Sequence, residues 1–235
     1  MGQKSHPYGL RLGYIKGWRA RWFARGKQLI HFLHEDLRLR KYLKEKLGFA
    51  GISVIEIERS SGRVRIRIHT ARPGVIIGRR GKEIDQVKET LHDMVPDKEL
   101  FIDIKEIKDP QTDAQLVSEN VALQLEKRVS FRRAMKKSVQ NAMSKGGLGI
   151  KIQCKGRLGG AEIARSEGYR EGKIPLSTFR ADIDYGFAEA LTTYGILGVK
   201  TWIYKGDIIM SETQDNEVPR DQTKEKNSAA SRAAG

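Results

Sequence analysis

The sequence predicts an α+β fold with two domains, an extended basic N-terminal arm and a disordered C-terminal tail. In the first half, a helical leucine pattern precedes two strands, a further helix and a third strand. In the second half, two helical stretches precede four strands, which predicts a two-layer domain of two helices on a four-stranded sheet. Asp109-Pro110 separates the halves, because proline disfavours helical geometry in the residue before it. The predicted divisions are 1–27, 28–108, 109–210 and 211–235.

The predicted arm is rich in glycine, aromatic residues and cations, and it contains no acidic residue. The spacing of its apolar residues follows neither the helical nor the strand period clearly. We therefore expect a segment that orders on binding RNA, with aromatic and guanidinium faces that stack on bases. The alternative is that these aromatic rings pack on the protein's own domain. The candidate RNA-binding residues of the arm are Lys4, His6, Arg11, Lys16, Arg19, Arg21 and Arg25.

The first domain is predicted to open on a helix whose leucines step by four residues. The leucine stripe shifts near Leu37, which predicts either a kink or two short helices, and Gly48 is the expected C-cap. In the second strand, Val64, Ile66 and Ile68 alternate with arginines, as in a strand with one buried face. The predicted elements are a helix over 27–47, strands over 52–58 and 63–70, a helix from Lys82 that ends before Pro96, and a strand over 99–107.

The sharpest motif joins the second strand of this domain to the following helix. Its glycines lack a Cβ and let a phosphodiester backbone approach, and the helix N-terminus offers free N–H groups to an anion. Placed after two strands and before a helix and a strand, the motif resembles the GXXG loop of type II KH domains, which grips RNA. An ordinary glycine turn is the alternative. The candidate residues are Gly78, Arg79, Arg80, Gly81 and Lys82.

In the second half, apolar residues first follow a helical period and then alternate. The helical stretch from Leu116 to Ser144 changes its stripe at Phe131, so two consecutive helices are predicted. Segment 161–173 fits a helix or a strand, and we favour a strand because two helices already precede the sheet. Cys154 falls on the apolar side of its strand and is predicted to be a core residue. The predicted strands lie at 150–155, 161–173, 179–185 and 199–204.

A second basic cluster lies on the later of these two helices. Its members step by four residues in two parallel stripes, so that like charges face one another along the helix. Because such pairs cost helix stability, the cluster indicates an external anion. The alternative is a solvated face balanced by acids elsewhere, although no Asp or Glu lies between Lys127 and Lys155. The residues are Arg128, Arg132, Arg133, Lys136 and Lys137.

Composition narrows the class of function. Lys and Arg number 44 against 29 Asp and Glu, a formal charge of +15 that favours a polyanionic partner, either nucleic acid or an anionic membrane. No run reaches the roughly 18 apolar residues that a membrane-spanning helix needs. The first residues lack the apolar core of a secretory signal, so we expect none. The single cysteine excludes an intramolecular disulfide and indicates a reducing compartment, which we take to be the cytoplasm.

Recognisable catalytic signatures are missing from the sequence. There is no phosphate-binding loop of the G-x-x-x-x-G-K-[ST] type and no complete dinucleotide fingerprint. His31 and His34 lie near Glu35 without forming an H-E-x-x-H motif, and one cysteine builds no zinc site. We therefore expect no catalytic residue, no metal, no cofactor and no small-molecule substrate.

Several blocks together resemble one family, that of the third protein of the bacterial small ribosomal subunit. The resemblance covers about residues 1–210 in order, and it implies an N-terminal KH domain followed by an α+β domain. The blocks that carry it include Gly2–Pro7, Gly9–Gly13, Trp22–Ala24, the glycine loop, Phe131–Lys136, Gly156–Arg165, Tyr169–Gly172, Arg180–Tyr185, Thr192–Gly195, Gly198–Lys200 and Lys205-Gly206.

The resemblance implies a structural protein in the head of the small subunit. Its implied partners are small-subunit rRNA, mRNA and neighbouring ribosomal proteins, the tenth and the fourteenth among them. By position, Arg132, Arg133 and Lys136 resemble residues that line the channel through which mRNA enters and that help to keep the message single-stranded. A free-standing KH factor in ribosome assembly or RNA decay is the alternative, but it leaves 110–206 unexplained. An enzyme acting on nucleic acid is a third possibility and lacks a recognisable motif of paired carboxylates.

Overall fold

The computed structural model describes residues 4–60, 62–78, 81–95 and 98–208. Its strands form two four-stranded sheets, with strand orders β1-β2-β3-β4 and β6-β5-β8-β7. The predicted α+β class is confirmed. The elements are α1 Pro7–Leu10, β1 Ala20–Arg21, α2 Lys27–Leu47, β2 Ile52–Ser60, β3 Arg63–Thr70, α3 Pro73–Ile77, α4 Lys82–Met94, β4 Glu99–Glu106, α5 Ala114–Glu126, α6 Phe131–Ser144, β5 Gly149–Gly156, β6 Arg165–Gly172, β7 Ala181–Thr192 and β8 Gly195–Asp207.

The first sheet is built on the alternating strand β3. Val64, Ile66 and Ile68 are fully buried, as predicted, and the arginines between them lie on the other face. β3 pairs antiparallel with β2 and parallel with β4. A parallel pair needs a crossover connection, which α3 and α4 supply, and Val87 and Leu91 of α4 enter the core. The glycine loop is therefore held between two helices that cross the sheet.

Helix α2 is continuous over 21 residues, so the predicted kink or pair of short helices is wrong. The change of stripe has another cause: only the second leucine set reaches the sheet. Leu39, Leu43 and Leu47 are buried, whereas in the earlier turns only Phe32 is partly covered, by Trp22, and four other apolar residues are exposed. These exposed residues are Leu29, Ile30, Leu33 and Leu37.

In the second sheet, α5 and α6 cover one face. Ile150, Ile152 and Cys154 are fully buried beneath them, which confirms the predicted core position of the cysteine. α5 approaches β7 so closely that a Cβ on Gly186 would overlap the main chain of Ala114. A glycine is required there because no larger residue leaves room for the helix.

The last two strands are much longer than predicted. The sequence placed strands at 179–185 and 199–204, whereas β7 and β8 form one long antiparallel hairpin over 181–207. The alternating pattern ended early because Gly186 and Gly198 interrupt it and because a register shift lies between Asp182 and Ile183. β6 confirms a strand within segment 161–173, although it covers only Arg165–Gly172. The tail predicted to be disordered from residue 211 lies outside the described residues.

The predicted arm is held against the folded body rather than free, which corrects the expectation of a segment that orders only on binding. β1 adds to the first sheet by pairing parallel with Ile57 and Glu58. The indole Nε1 of Trp22 donates a hydrogen bond to Asp36 at 2.8 Å. Lys16 pairs with Asp182 of the second sheet at 2.5 Å. Residues 4–26 therefore contact both sheets and join them.

Candidate nucleic-acid interface

The glycine loop has the backbone geometry that its sequence predicts. Gly78 and Gly81 have φ values of +69° and +80°, in the left-handed region that favours glycine. Gly81 is the residue that precedes α4, and Lys82 is exposed in the first helical turn. The N-cap Gly81 has no side chain to accept from the first N–H groups of α4, which leaves them available to an anion. Arg79 and Arg80 lie outside the described residues.

Two carboxylates in the same turn moderate the charge of the loop. Glu83 and Asp85 lie in the first turn of α4 with Lys82, and they offset two of the three positive charges that Arg79, Arg80 and Lys82 bring in the sequence. The side chain of Glu83 lies beside Gly78, where a Cβ would come within 2.7 Å of its Cγ. Gly78 is therefore needed both for its backbone conformation and for the space that Glu83 occupies.

Helix α6 presents its cations to solvent, with its opposite side in the core. Ala134, Met135 and Val139 are buried, whereas the four basic residues of the helix are exposed. α6 contains no acidic residue. Basic groups in a first turn oppose the helix dipole, so this placement costs helix stability. The exposed cations of α6 are Arg132, Arg133, Lys136 and Lys137.

One acid approaches this face from the neighbouring strand. Glu167 of β6 lies 3.5 Å from Arg132 and 3.2 Å from Arg165, and both guanidinium groups lie within 6 Å of the Phe131 ring. The alternative prediction, that acids elsewhere in the chain balance the cations of this helix, therefore holds in part for Arg132. Among the described residues, no carboxylate forms an ion pair with Arg133, Lys136 or Lys137.

Arg128 does not lie on the helix stripe where the sequence placed it. α5 ends before it in a Schellman motif, with Val129 N–H bonded to the Gln124 carbonyl and Arg128 N–H to the Leu125 carbonyl. Arg128 occupies the position of this motif that is usually a glycine, and its φ is +59°. It is therefore a helix-terminating residue beside the α6 face, and the stripe itself begins at Arg132.

The arm residues separate into structural and exposed groups. Arg11 is fully buried and its guanidinium donates hydrogen bonds to main-chain carbonyls, so the predicted rRNA contact of Arg11 is wrong. Lys16 is held by its ion pair with Asp182. The guanidinium of Arg19 lies 4.5 Å from the centre of the Tyr8 ring. The arm residues that remain exposed are Lys4, His6, Arg19, Arg21 and Arg25.

Comparison with known proteins agrees with both halves of the fold. Residues 38–112 match the family model described as a KH domain, and residues 121–203 match the model described as the C-terminal domain of ribosomal protein S3. The small ribosomal subunit protein uS3 of Desulfatibacillum aliphaticivorans is 58% identical over 214 residues, which is 91% of this chain and 97% of that protein. The uS3 protein of Carboxydothermus hydrogenoformans is 60% identical over 209 residues, 89% of this chain and 94% of that protein.

The chain belongs to the uS3 family of small ribosomal subunit proteins. Members of the uS3 family are structural proteins, so the prediction that the chain is not an enzyme is confirmed. The order of a KH domain followed by the S3 C-terminal domain also confirms the type of fold that the resemblance implied.

Cys154, the single cysteine of this uS3 family member, is not a reactive site in the fold. Burial raises the pKa of the Cys154 thiol to about 12, so the sulfur stays protonated and is a poor nucleophile or metal ligand. In the described part of the chain, no group of three or more His, Cys, Asp or Glu side chains could hold a metal ion. Within the same residues, no helix has both the length and the apolar character needed to cross a bilayer.

Four cations of the second sheet were not among the predicted site residues. They lie on the face that α5 and α6 leave open, and the alternation of Lys151, Gln153 and Lys155 with buried residues was the available signal. That pattern indicates a strand with a polar face, but it does not show which other strands add charge beside it. The cations that the sheet brings together on this face are the half-buried Lys151 and the exposed Lys155, Arg170 and Lys200.

Proposed function

We propose that the chain is built into the head of the cytoplasmic small ribosomal subunit, where it binds rRNA and helps to line the channel through which mRNA enters. The observation that carries this proposal is the α6 face. Four cations stand exposed on a helix without acidic residues, and the other side of that helix is fixed in the core. A rigid row of cations is suited to a phosphate backbone that passes along it.

Contacts of this kind are independent of base sequence. Phosphate contacts position a strand, whereas contacts to base edges read it. We infer that Arg132, Arg133 and Lys136 hold a message strand that has already opened and so disfavour its reannealing. Arg128 and Lys137 flank these three and extend the positive surface. A channel that accepts every message requires this lack of sequence preference.

Binding of rRNA is assigned to the exposed arm residues and the glycine loop. The arm offers Lys4, His6, Arg19, Arg21 and Arg25, with Lys16 beside them, and the loop offers Gly78, Arg79, Arg80, Gly81 and Lys82. Support comes from the left-handed glycines and the free helix N-terminus. We retain the divisions 1–27, 28–108, 109–210 and 211–235 as the proposed working units of the chain.

Contacts with neighbouring ribosomal proteins are assigned to the first turns of α2. The side chains of Leu29, Ile30, Leu33 and Leu37 are 45–58% exposed and share one region of the helix. An exposed apolar patch of this kind is typical of a protein–protein contact. The tenth and fourteenth proteins of the subunit are the proposed partners.

Sedimentation tests the proposal against a free-standing KH factor. In a sucrose gradient of lysate at physiological salt, we expect the chain to remain stoichiometric with small subunits. A substoichiometric or free chain would favour the factor in ribosome assembly or RNA decay. Purified chain should also bind RNA with steep salt dependence, a log–log slope of at least about 2, because each phosphate contact on single strands contributes about 0.7.

A further inference from the structure

The second sheet has one face that α5 and α6 leave uncovered. The arm and the segment before β7 pack on one end of it, where the His6 ring lies 4.6 Å from that of Tyr185 and Trp202 packs in a cluster with Ile174 and Leu176. The helices pack on the side of Ile150, Ile152 and Cys154, so the alternate residues of β5 point away from them. The strand register places those residues in rows across the four strands, and we call these rows the open face. The rows are Arg170–Lys151–Trp202–Tyr185, Gly168–Gln153–Lys200–Phe187 and Ser166–Lys155–Gly198–Glu189.

Every row of the open face contains a cation, and the rows contain a single carboxylate, that of Glu189. Lys151, Lys155, Arg170 and Lys200 form no ion pair with any carboxylate of the described chain. Three acids of the outer strands form ion pairs with other cations: Glu167 with Arg132 and Arg165, Asp182 with Lys16, and Asp184 with Lys205. The positive charge of this face is therefore unbalanced within the protein.

The cations are close enough to repel one another. Partial burial lowers the pKa of Lys151, and the positive charges of Lys4 and Arg170 lower it further. Burial also lowers the pKa of His6, together with the charges of Arg19 and Lys200. The beginning of the arm thus adds its own basic groups to this side of the sheet. An external polyanion would relieve this repulsion.

Aromatic rings lie among the cations. Lys151 Nζ lies 5.1 Å from the centre of the Trp202 ring, and Lys200 Nζ lies 6.0 Å from that of Phe187. Phe187 is 41% exposed, and its ring leans over Gly198, where a Cβ would lie 3.7 Å from Cε2. Gly168 and Gly198 lie in the second and third rows, so two of the eight positions there carry no side chain. Flat rings and cations on an open sheet are the features with which proteins bind single-stranded RNA.

We propose that the open face binds single-stranded RNA, with phosphates on Lys151, Lys155, Lys200 and Arg170 and a base stacked on Phe187. This surface deepens the proposed function and rests on it, but it lies on the opposite side of the sheet from α6. The α6 face and the open face are formed by different side chains, so the two surfaces can be tested separately.

The chain's own C-terminal segment is a poorer occupant than RNA. Residues 209–235 contain five acidic and four basic residues, so they bring almost no net negative charge to neutralise the face. RNA brings one negative charge with every nucleotide. Charge complementarity therefore favours RNA as the occupant. Binding of an acidic neighbouring protein instead is one of the outcomes that the test distinguishes.

Lysine acylation read by mass spectrometry tests the proposal on the full-length chain. The probes are a single-stranded RNA oligonucleotide and a duplex of the same sequence. We expect the single strand to protect Lys151, Lys155 and Lys200 several-fold and to leave Lys41, Lys46 and Lys108 reactive. Those three are exposed lysines of the first half of the chain.

Matched variants give a second readout. Lys151→Ala, Lys155→Ala and Lys200→Ala together should reduce the log–log salt slope of single-strand binding by about 2, the contribution of three phosphates. Lys41→Ala, Lys46→Ala and Lys108→Ala remove the same charge and should leave the slope unchanged. Phe187→Ser should weaken binding without changing the slope. Circular dichroism verifies that each variant is folded.

The failures of the two proposals are distinguishable. The open-face proposal is overturned if RNA protects Lys136 and Lys137 but leaves Lys151, Lys155 and Lys200 reactive. That result leaves the proposed function in place. Absence of both RNA binding and protection overturns both. Protection by the duplex alone, or only on addition of an acidic ribosomal protein, also overturns the assignment to single-stranded RNA.

Discussion

Arg11 donates a hydrogen bond from Nε to the main-chain carbonyl of Ala181 at 2.6 Å, which joins residues 170 positions apart. The same guanidinium donates to Pro7 at 2.9 Å and to the carbonyls of Leu176 and Thr178 at 3.0 and 2.8 Å. One side chain thus ties the N-terminal segment to the loop before β7. The planar fork of the guanidinium makes several divergent bonds possible at once.

Arg11→Lys should lower the free energy of unfolding by about 2–4 kcal/mol, because a lysine cannot reach all these carbonyls and leaves buried acceptors without donors. Chemical denaturation measures the change. Arg25→Ala, at an exposed position of the same segment, is the control and should change stability by less than about 0.5 kcal/mol. An equal effect of both variants would contradict the structural role of Arg11.

Neutralising Arg132, Arg133 and Lys136 to Ala should spare assembly of the subunit and slow translation through stable hairpins. The fold should survive because all three side chains are exposed and two of them oppose the dipole of α6. Toeprinting on messages with and without a hairpin measures the difference. Lys41→Ala, Lys46→Ala and Lys108→Ala provide a variant of equal charge. Poor assembly with equal slowing of both messages would instead indicate that the α6 face anchors rRNA.

Gly81→Asp should weaken binding of single-stranded RNA while the fold is retained. A Cβ at this position meets nothing nearer than Asp85 Oδ2 at 3.8 Å, so the cost to the fold is the strain of a non-glycine residue at a φ of +80°, about 1–2 kcal/mol, which Gly81→Asn shares. The added negative charge lies where a phosphate would bind. Gly81→Asn has the same shape without the charge and should lose less affinity. Unchanged RNA affinity of Gly81→Asp with native circular dichroism would exclude the loop as an RNA site.

Asp113→Asn should stabilise the protein at neutral pH, with a benefit that disappears in acid. Burial and the negative charge of Asp184 raise the pKa of Asp113, which accepts hydrogen bonds from Leu116 N–H at 3.0 Å and Ser53 Oγ at 2.6 Å. Because the folded pKa exceeds the unfolded one, this group contributes stability below the unfolded pKa and loses it as pH rises through the folded pKa. Asparagine can keep both hydrogen bonds.

Asp207→Asn is the control for that experiment, since the pKa of Asp207 is lowered by hydrogen bonds from Tyr204 and Arg180. Its stabilising contribution is present above the unfolded pKa and is lost as pH falls through the folded pKa, so this variant should lose stability at neutral pH. Thermal unfolding at neutral and acidic pH measures both variants. A shift of the same sign in the two would disprove the assignment.

Arg128→Gly should raise the free energy of unfolding by about 1 kcal/mol, because the left-handed conformation of this Schellman position costs a non-glycine residue about that much. Lys137→Gly, in the middle of α6, should lower it by about 1 kcal/mol. The midpoint of chemical denaturation reports both changes. A loss of stability in Arg128→Gly would show that the Arg128 side chain contributes more than its backbone strain costs.

The sequence by itself determined the α+β class, the two sheets and the glycine loop, because these depend on local periodicity and on glycine at particular positions. Val64, Ile66 and Ile68 alternate in the chain and are buried together in the fold. The change in apolar spacing at Phe131 likewise predicted that α5 and α6 are separate helices. In each case the physical signal, apolar spacing along one strand or helix, lies within a few consecutive residues.

Only the tertiary structure decided which cations are free to meet a ligand. Arg11 reads as a surface residue in the sequence, and its burial depends on carbonyls more than 160 positions away. Arg128 follows the helical spacing, yet the hydrogen bonds that end α5 remove it from the stripe. Lys151 and Lys200 are 49 positions apart in the chain, and strand register alone brings their rows side by side. Periodicity encodes which face of an element is apolar, whereas register and long-range hydrogen bonds set what the polar face meets.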